Sequence, residues 1–362
     1  MKCPRLSYLE IEGAPFDAGR ALGRFGAAAL HGYAQHSAAW ASVMRYRGTL
    51  LADSMSRLVR LHFPRVWDEL QGLAIGLERP FEEVFLWNCR GDLWAMAPDG
   101  DIAVNEDGCT TVQQAGTVRR ITHNEDGDPA FAGHCAIAAF KVAGGAAFAA
   151  FIYPGSIAGH TFAVTDGGLA MTVNNLRCRR VRAGIPRMVL ARALLDVARL
   201  DQALALIHGT ERAGGFHLTL AHRDEPGLLS VEFSSEACAV VTIDGRGLHA
   251  NHALHAPLRQ LPQIITASSQ HRQRRGQALL AEAAGKALDP LRVLADAEDA
   301  GFPILRADPL DSDAENTLAT ADIHVGSGHI EWQVHPHPAQ PPQWHLRDGH
   351  FICKKDQGGQ PV

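Results

Sequence analysis

A glycine directly before a cysteine marks the stretch of this chain best suited to chemistry. The stretch is Asn105-Glu-Asp-Gly-Cys-Thr-Thr111, and its Asn-Glu-Asp-Gly sequence recurs at 124–127. If the Gly108–Cys109 bond breaks, Cys109 gains a free amine beside its thiol, and the two groups form a nucleophile with its own base. Gly108 suits such a break because it has no Cβ to hinder the approach of the thiol to its carbonyl carbon. The stretch is therefore predicted to be a cleavage site and an active site at once.

The residues after Cys109 have the spacing of β-strands and are predicted to fold back on themselves. Two strand-like runs, 109–114 and 118–123, flank a short turn that contains Gly116. The return arm would bring three polar residues back beside the cysteine: His123, Asn124 and Asp126. We therefore expect the first help for the nucleophile to come from this hairpin.

The rest of the chain alternates between blocks of helix and blocks of strand. Residues 1 to about 100 have helical spacing after a short extended start, with Asp53 or Ser54 as the cap of a second helix and a boundary at 91–108. Further strand-like runs lie at 135–142, 147–153, 169–173, 216–222, 228–233, 238–243, 317–325 and 329–334, and helix-like runs at 186–208, 268–285 and 289–298. This order indicates a layered α+β fold, with a separate helical leader before it and an irregular tail after Pro336.

Composition and charge argue against several classes of protein. The 362 residues carry a formal net charge of −5, which gives no reason to expect nucleic acid or an anionic membrane as a partner. No run reaches the roughly 18 apolar residues of a spanning helix, and the N-terminus lacks the apolar region of a signal peptide, so a cytoplasmic location is expected. Seven scattered cysteines without a C-x-x-C motif predict neither a disulfide framework nor a structural zinc site. The basic runs at 177–182 and 271–275 are interpreted as solvated surface.

Several short motifs follow one another along the chain. They are Gly13-Ala-Pro-Phe-Asp-Ala-Gly-Arg-Ala-Leu-Gly, Gly108-Cys-Thr-Thr, His123-Asn-Glu-Asp, Leu169-Ala-Met-Thr-Val-Asn-Asn-Leu, His249-Ala-Asn-His, and Pro303-Ile-Leu-Arg followed by Thr317-Leu-Ala-Thr. In this order and spacing they resemble the isopenicillin-N acyltransferase-like family of self-cleaving cysteine peptidases, which belong to the N-terminal-nucleophile (Ntn) hydrolases. Two departures, the lack of a Trp just after Asp126 and the Leu before Arg306, leave the choice of substrate open.

The resemblance implies a four-layer αββα Ntn-hydrolase sandwich with a helical leader. Self-cleavage between Gly108 and Cys109 would separate the leader, residues 1–108, from the catalytic chain, residues 109–362. The fragments would stay associated, and a homo-oligomer is a further expectation. Cys109 would form a thioester with the acyl part of an amide substrate, and Asp126 would hold the new amine.

The resemblance also gives roles to residues far along the chain. Asn175 and Asn251 would donate to the oxyanion, and Arg306 would orient the charges around the amine. Since neighbours on a strand point in opposite directions, only one of Asn174 and Asn175 can face the pocket, and Asn175 is taken as that residue while Asn174 stays the alternative. The supporting residues would be Thr110, Thr111, His123, Asn124 and Asn174.

No cofactor and no metal are implied by the resemblance. The expected partner is a small molecule with an amide or acyl group, and neither nucleic acid nor a membrane is expected. Hydrolysis is favoured over acyl transfer because water needs no second binding site.

Three alternatives remain open from the residues alone. The chain could keep the fold as an uncleaved binding protein, or it could be a thiol hydrolase in which His123 is the base for Cys109. A metal-dependent hydrolase would need ligands from the histidines at 249, 252, 255, 324, 335 and 337. Each site residue also has a structural interpretation: Cys109 as a buried thiol, Asp126 and Asn251 as turn residues, and Arg306 as a surface ion pair.

Overall fold

The computed structural model describes residues 5–94, 96, 108–308, 310–311 and 314–352. Gly108 and Cys109 are among them. The first three residues of the predicted cleavage stretch, 105–107, and most of the predicted boundary at 91–108 lie outside the described residues. Cys3 and Cys353 also lie outside them. No disulfide joins the five cysteines within the described ranges.

Two β-sheets form the centre of the molecule. The larger sheet has eight strands in the order β1-β4-β5-β6-β7-β8-β9-β10, and the smaller has seven in the order β11-β2-β3-β12-β13-β14-β15. The strands are β1 Ser7–Gly13, β2 Gly108–Gln114, β3 Arg119–Gly127, β4 Ala136–Val142, β5 Phe148–Ile152, β6 Phe162–Thr165, β7 Leu169–Asn175, β8 Phe216–His222, β9 Leu228–Phe233, β10 Cys238–Thr242, β11 Arg246–His249, β12 Asn316–Val325, β13 Ile330–His335, β14 Trp344–Arg347 and β15 His350–Phe351.

Ten α-helices lie within the described residues, six of them before the first strand of the smaller sheet. They are α1 Pro15–His36, α2 Ala38–Met44, α3 Leu50–His62, α4 Pro64–Leu77, α5 Phe81–Trp87, α6 Arg90–Trp94, α7 Arg187–Leu194, α8 Leu200–Gly209, α9 Ala267–Glu282 and α10 Pro290–Leu294. The α+β fold class expected from the order of elements is confirmed. No helix in the described part has both the length and the apolar character needed to cross a membrane.

The glycines of the leader motif have a packing role. Helices α1 and α4 cross so closely that a Cβ on Gly19 would lie 1.9 Å from the carbonyl oxygen of Glu69, and one on Gly23 would lie 2.5 Å from that of Leu73. On the facing helix, a Cβ on Gly72 would lie 1.9 Å from the carbonyl oxygen of Phe16. Because only glycine permits backbones to approach so closely, the motif positions the leader helices.

The leader is part of the central fold and not a separate element laid against it. Strand β1 pairs in parallel with β4 over seven residues, from Ser7 opposite Ala136 to Gly13 opposite Val142. The expectation of a separate leader is wrong for a physical reason. An extended start such as β1 satisfies its backbone hydrogen bonds by joining a sheet edge.

The two sheets face each other through polar as well as apolar residues. Thr111 on β2 bonds to Asn174 on β7, and Gln113 on β2 bonds to Thr219 on β8. Helices α9 and α10 contact the smaller sheet, where Val112, Leu248 and Leu294 belong to one apolar cluster. The β2–β3 hairpin therefore lies between the larger sheet on one side and helices on the other.

Most predicted elements are confirmed, and the exceptions have simple causes. Helix α3 begins after Thr49, whose hydroxyl accepts from the amide of Ala52, and not at the predicted cap Asp53 or Ser54. Strands β6 and β11 are only four residues long and escaped prediction. Helix α10 is shorter than predicted and ends at Leu294.

The tail after Pro336 is not irregular as expected. It supplies β14 and β15, and the ring of Phe351 packs against Tyr8 with the ring centroids 3.9 Å apart. The Pro- and Gln-rich composition of the tail concealed these two short strands.

Candidate active site

The β2–β3 hairpin presents two different faces. Its register places Gly108 opposite Asp126, Cys109 opposite Glu125, and Thr111 opposite His123. Because side chains alternate along a strand, these pairs divide into two sets. The inner face, toward the larger sheet, carries Cys109, Thr111, His123 and Glu125. The outer face, toward α9 and α10, carries Gly108, Thr110, Asn124 and Asp126.

On the inner face, the thiol of Cys109 contacts a carboxylate that the sequence did not single out. Its Sγ lies 3.9 Å from Oε2 of Glu125. The same Oε2 lies 3.0 Å from Nε2 of His123, and the hydroxyl of Tyr153 donates to Oε1 at 3.0 Å. Cys109, His123 and Glu125 are all buried. The predicted hairpin is confirmed, and its return arm places Glu125 closest to the sulfur.

His123 continues this chain of contacts away from the cysteine. Its Nδ1 lies 2.8 Å from the hydroxyl oxygen of Thr111, which donates to Oδ1 of Asn174 at 2.7 Å. Asn174 in turn donates to the carbonyl oxygen of His249 at 3.1 Å. Burial lowers the pKa of His123 to about 3, which favours the neutral imidazole. Thr111 and Asn174 therefore support His123 between the sheets.

A small cavity opens beside the thiol. Asn175, and not Asn174, lines it together with Cys109, which is the orientation chosen from the sequence. The guanidinium of Arg187 lies 4.4 Å from the ring centroid of Phe216 in its wall. The lining residues are Arg90, Cys109, Glu125, His160, Asn175, Arg187, Met188 and Phe216. The cavity thus combines an apolar wall with amide, carboxylate and guanidinium groups, as small-molecule sites commonly do.

The backbone of Cys109 is held on its other side. Its nitrogen donates to Oδ1 of Asn251 at 3.0 Å. Nη2 of Arg272 donates to the same Oδ1 at 2.7 Å, while Nη1 donates to the carbonyl oxygen of Cys109 at 2.7 Å and to the hydroxyl of Thr110 at 2.8 Å. Asn251 was expected to donate to an oxyanion, but its amide nitrogen donates to the carbonyl oxygen of Asn175 at 3.3 Å. The contact observed for Asn251 is therefore with the nitrogen of Cys109.

Asp126 lies on the outer face, opposite Gly108. The hydroxyl of Thr317 donates to its Oδ1 at 2.6 Å, and its buried Oδ2 has no hydrogen-bond partner among the described residues. Burial raises the pKa of Asp126, and the nearby guanidinium groups of Arg306 and Arg272 oppose that rise. Asp126 is therefore a buried acceptor beside the residue that precedes Cys109, and more than a turn cap.

Arg306 is buried and paired, which contradicts the alternative of a surface ion pair. Its side chain is 1% exposed and bonds to Asp311, with Nε 3.0 Å from Oδ2, and to Glu315. A Cβ added to Gly108 would lie 2.3 Å from Oε2 of Glu315 and 2.9 Å from Nη1 of Arg306. Burial raises the pKa of Glu315 to about 8, with Arg306 as the largest opposing influence. The pair forms a wall against which only glycine fits.

Comparison with known families gives a match over the part of the chain that follows the leader. A family model described as acyl-coenzyme A:6-aminopenicillanic acid acyl-transferase matches residues 112–336, more than half of the chain. The chain belongs to this acyltransferase family. No curated protein sequence matches the chain significantly. The matched range begins three residues after Cys109 and includes Glu125, Asn175, Asn251 and Arg306.

Several residues around the site of this acyltransferase-family chain were missed from the sequence. Glu125 has a signal that period-two alternation could have found, since it follows His123 by two positions on one strand. Arg272 was interpreted as part of a solvated basic run, yet it is buried. Glu315 carried no sequence signal, because only the fold brings it against Gly108.

Asn124, one of the predicted supporting residues, has a structural role. Asn124 donates to the carbonyl oxygen of Leu294 at 2.9 Å and accepts from Thr320 at 2.7 Å, so it connects the hairpin to α10 and β12.

Among the six histidines of the metal alternative, His249 bonds to Glu232 at 2.8 Å and stacks on His217. Within the described residues the six do not supply a three-ligand group.

Proposed function

We propose that this chain is a self-processing Ntn amidase or acyltransferase that cleaves an amide bond through a thioester on Cys109. The observation that carries the proposal is the placement of two groups of Cys109, its thiol and its backbone nitrogen. Its thiol faces a cavity while its backbone nitrogen is held by Asn251, after a buried glycine. Such a residue is ready to serve as nucleophile and base once the preceding bond is broken. Membership of the acyltransferase family agrees with acyl chemistry.

In the first reaction, the sulfur of Cys109 would attack the carbonyl carbon of Gly108. The carbon–nitrogen bond breaks, the nitrogen takes a proton to become the amine of Cys109, and a thioester remains. Water then hydrolyses the thioester and restores the thiol. Glu125 is the group placed to relay the thiol proton to His123 while the amine is still part of the peptide, since its Oε2 lies 3.9 Å from the sulfur and 3.0 Å from Nε2 of His123.

In the second reaction, the same sulfur would attack the carbonyl carbon of a substrate amide. The free amine of Cys109, with an ordinary pKa of about 8, can accept the thiol proton. Asn251 and Asp126 would hold this amine, and the cavity position of Asn175 suits it to donate to the oxyanion, a contact worth about 3–4 kcal/mol in related sites. We favour hydrolysis of the thioester by water over its transfer to an amine.

The two fragments would stay together after the cut. Strand β1 of the leader pairs with β4 over seven residues, and the buried carboxylate of Glu69 in the leader accepts from Arg192 in the catalytic chain at 2.9 and 2.6 Å. Neither contact depends on the Gly108–Cys109 bond. We also propose the four-layer αββα Ntn arrangement, which would place helices on the outer sides of the two sheets.

Mass spectrometry of the purified chain tests the proposal. From the 39.0 kDa of the chain, self-cleavage predicts fragments of about 12 and 27 kDa, the larger beginning with Cys109. Cys109→Ala should remain intact, whereas Cys135→Ala, which alters another buried thiol, should be cut normally. An intact wild-type chain, or unchanged cleavage in Cys109→Ala, would refute self-processing.

A second candidate, an uncleaved thiol hydrolase, is favoured by the Cys109–Glu125–His123 contacts. His123 does not bond to the sulfur directly, because its Nε2 faces Glu125 and its Nδ1 faces Thr111. Glu125 would have to relay the proton. This candidate predicts an intact chain that hydrolyses amides and loses activity in His123→Ala.

A further inference from the structure

The three groups around the sulfur have the composition and spacing of a transition-metal site. Cys109 Sγ, His123 Nε2 and Glu125 Oε2 all lie within 4.8 Å of one another. The sulfur–oxygen distance is 3.9 Å and the nitrogen–oxygen distance is 3.0 Å. Tetrahedral zinc, with bonds of about 2.0–2.3 Å, holds its ligand atoms about 3.3–3.5 Å apart. Because the sulfur and Nε2 lie up to 4.8 Å apart, the sulfur would have to move closer to Nε2 by up to about 1.3 Å to bring these three atoms around one ion.

The hydrogen bonds behind His123 determine which of its nitrogens carries hydrogen. Asn174 donates through Nδ2 to the carbonyl oxygen of His249, so its Oδ1 must face Thr111. The single hydroxyl hydrogen of Thr111 goes to that oxygen. The hydroxyl oxygen can then only accept from His123, which makes Nδ1 a donor.

This assignment leaves Nε2 of His123 facing a carboxylate oxygen. In the neutral imidazole with hydrogen on Nδ1, Nε2 has only a lone pair, and it lies 3.0 Å from Oε2 of Glu125. Two lone pairs at that distance repel each other, so a cation must lie between them. A proton satisfies this requirement, and so does a metal ion that also binds the adjacent sulfur.

The surroundings support metal binding as well as proton sharing. Metal-binding histidines usually donate their second nitrogen to a fixed acceptor, and His123 donates Nδ1–H to Thr111. Metal-binding carboxylates are usually hydrogen-bonded too, and Tyr153 donates to the other oxygen of Glu125 at 3.0 Å. The cavity beside Cys109 leaves room for a fourth ligand such as water.

We propose that Cys109, His123 and Glu125 form a binding site for a thiophilic divalent cation, with Zn²⁺ as the best fit, and that the bound ion blocks the sulfur. A thiolate, an imidazole and a carboxylate are ordinary zinc ligands. Binding displaces the thiol proton and the proton held between His123 and Glu125, so each ion releases two protons and no electron is transferred. The charges of the thiolate and the carboxylate balance that of the ion.

Blocking follows because the thiol cannot attack a carbonyl carbon while it is a metal ligand. This consequence rests on the proposed function of Cys109, whereas binding of the ion does not. Zinc would therefore restrain both cleavage of the chain and turnover of substrate. Removing it with a chelator would release both activities.

Cobalt spectroscopy on the reduced, metal-free full chain tests the site. Titration with Co²⁺ should give one thiolate-to-cobalt absorption band per chain, which Zn²⁺ abolishes. Glu125→Gln and His123→Asn should each weaken Zn²⁺ binding at least 100-fold, measured by calorimetry. His324→Ala, which removes a partly exposed histidine beside Asp322, should bind as the wild type does. Absence of the band, or unchanged affinity in both site variants, would overturn the proposal in favour of a shared proton only.

Alkylation of the wild-type chain tests the metal site without any substitution. Its result therefore does not depend on whether a variant folds. Zn²⁺ should protect Cys109 from iodoacetamide, with protection read for that one peptide by mass spectrometry, and unprotected Cys109 would refute the site. The two proposals fail separately. A chain that binds zinc but is never cut refutes self-processing alone, and a chain that is cut but shows neither the cobalt band nor protection refutes the metal site alone.

Discussion

The two faces of the β2–β3 hairpin place different groups around Cys109. On the inner face its sulfur contacts Glu125, which in turn contacts His123. Hydrogen bonds continue from His123 to Thr111 and from Thr111 to Asn174. On the outer face its backbone meets a dense set of charges. Three arginines, Arg177, Arg272 and Arg306, lie there with three carboxylates, Asp126, Asp311 and Glu315.

The difference bears on the proposal that one residue serves two chemical steps. A strand sends side chain and backbone contacts in different directions, so the sulfur and the nitrogen of Cys109 can be controlled by separate environments. In the proposed mechanism the outer charges would hold the peptide that is cut and the amine that replaces it, and the inner groups would control the proton of the thiol. Substitutions confined to one face should therefore affect different observables.

Removing the guanidinium of Arg306 should have the largest effect on stability. Arg306→Met leaves Asp311 and Glu315 buried without their main partner, which typically costs about 3–5 kcal/mol. Urea denaturation followed by circular dichroism measures the loss. Arg199→Met, which breaks an exposed pair with Asp201, should cost less than about 1 kcal/mol. If Arg306→Met lowered the free energy of unfolding by less than about 1 kcal/mol, burial of Asp311 and Glu315 would not depend on Arg306.

Adding one methyl group at the junction should disturb the outer face without touching the thiol. In Gly108→Ala the new Cβ would meet Glu315 at 2.3 Å and displace the peptide from its position. We expect self-cleavage to slow about 100-fold, the usual result of a misplacement of about 1 Å. The time course of fragment formation on a denaturing gel measures this rate. Gly245→Ala, with nothing within 4 Å of its Cβ, is the matched control, and equal rates in the two variants would contradict the prediction.

Substitutions of the neighbouring residues Thr110 and Thr111 on β2 compare the stability contributions of the outer and inner faces directly. Thr111→Val leaves the Nδ1–H of His123 without its acceptor, so we expect a loss of about 1–3 kcal/mol. Thr110→Val removes one acceptor from Arg272, whose Nη1 keeps the carbonyl oxygen of Cys109, so the loss should be near 1 kcal/mol. Denaturant midpoints measure both values. An equal or larger loss in Thr110→Val would show that the inner chain of hydrogen bonds contributes little to stability.

The remaining expected effect is confined to acidic pH and concerns His252, whose Nδ1 lies 2.8 Å from the hydroxyl oxygen of Ser269. Burial lowers its pKa to about 4, from about 6.5 in the unfolded chain. Between these values the unfolded chain binds more protons, so the stabilisation by neutral His252 is complete above pH 6.5 and is lost as the pH falls toward 4. The melting temperature of the wild type should therefore fall relative to that of His252→Asn over this range, by up to about 4 °C. A difference that is independent of pH would contradict the assignment.

The local sequence was sufficient to predict the hairpin and most strands. Alternation after Cys109 and the turn around Gly116 depend on near neighbours in the chain, and the predicted strands were confirmed. The tail and β11 escaped because short strands carry little periodicity. The leader glycines were recognised as a motif, but their use in the crossing of α1 and α4 depends on residues some 50 positions away.

What the sequence by itself determined is the hairpin around the proposed nucleophile. Gly108, Cys109 and the strand that returns beside them follow from residue types and short spacing, because a glycine before a cysteine and a period of two act locally. Alternation left open which of Asn174 and Asn175 faces Cys109, and it is Asn175 that lines the cavity beside the thiol.

Only the tertiary structure decided which groups surround Cys109. Glu125 rather than Asp126 reaches the sulfur, because register and face depend on how the hairpin pairs. Asn251 and Arg272 meet the backbone of Cys109, and Glu315 closes the space at Gly108, because chain segments more than 140 residues away are packed against β2. Contacts over such distances depend on packing of the whole core, which no local pattern records.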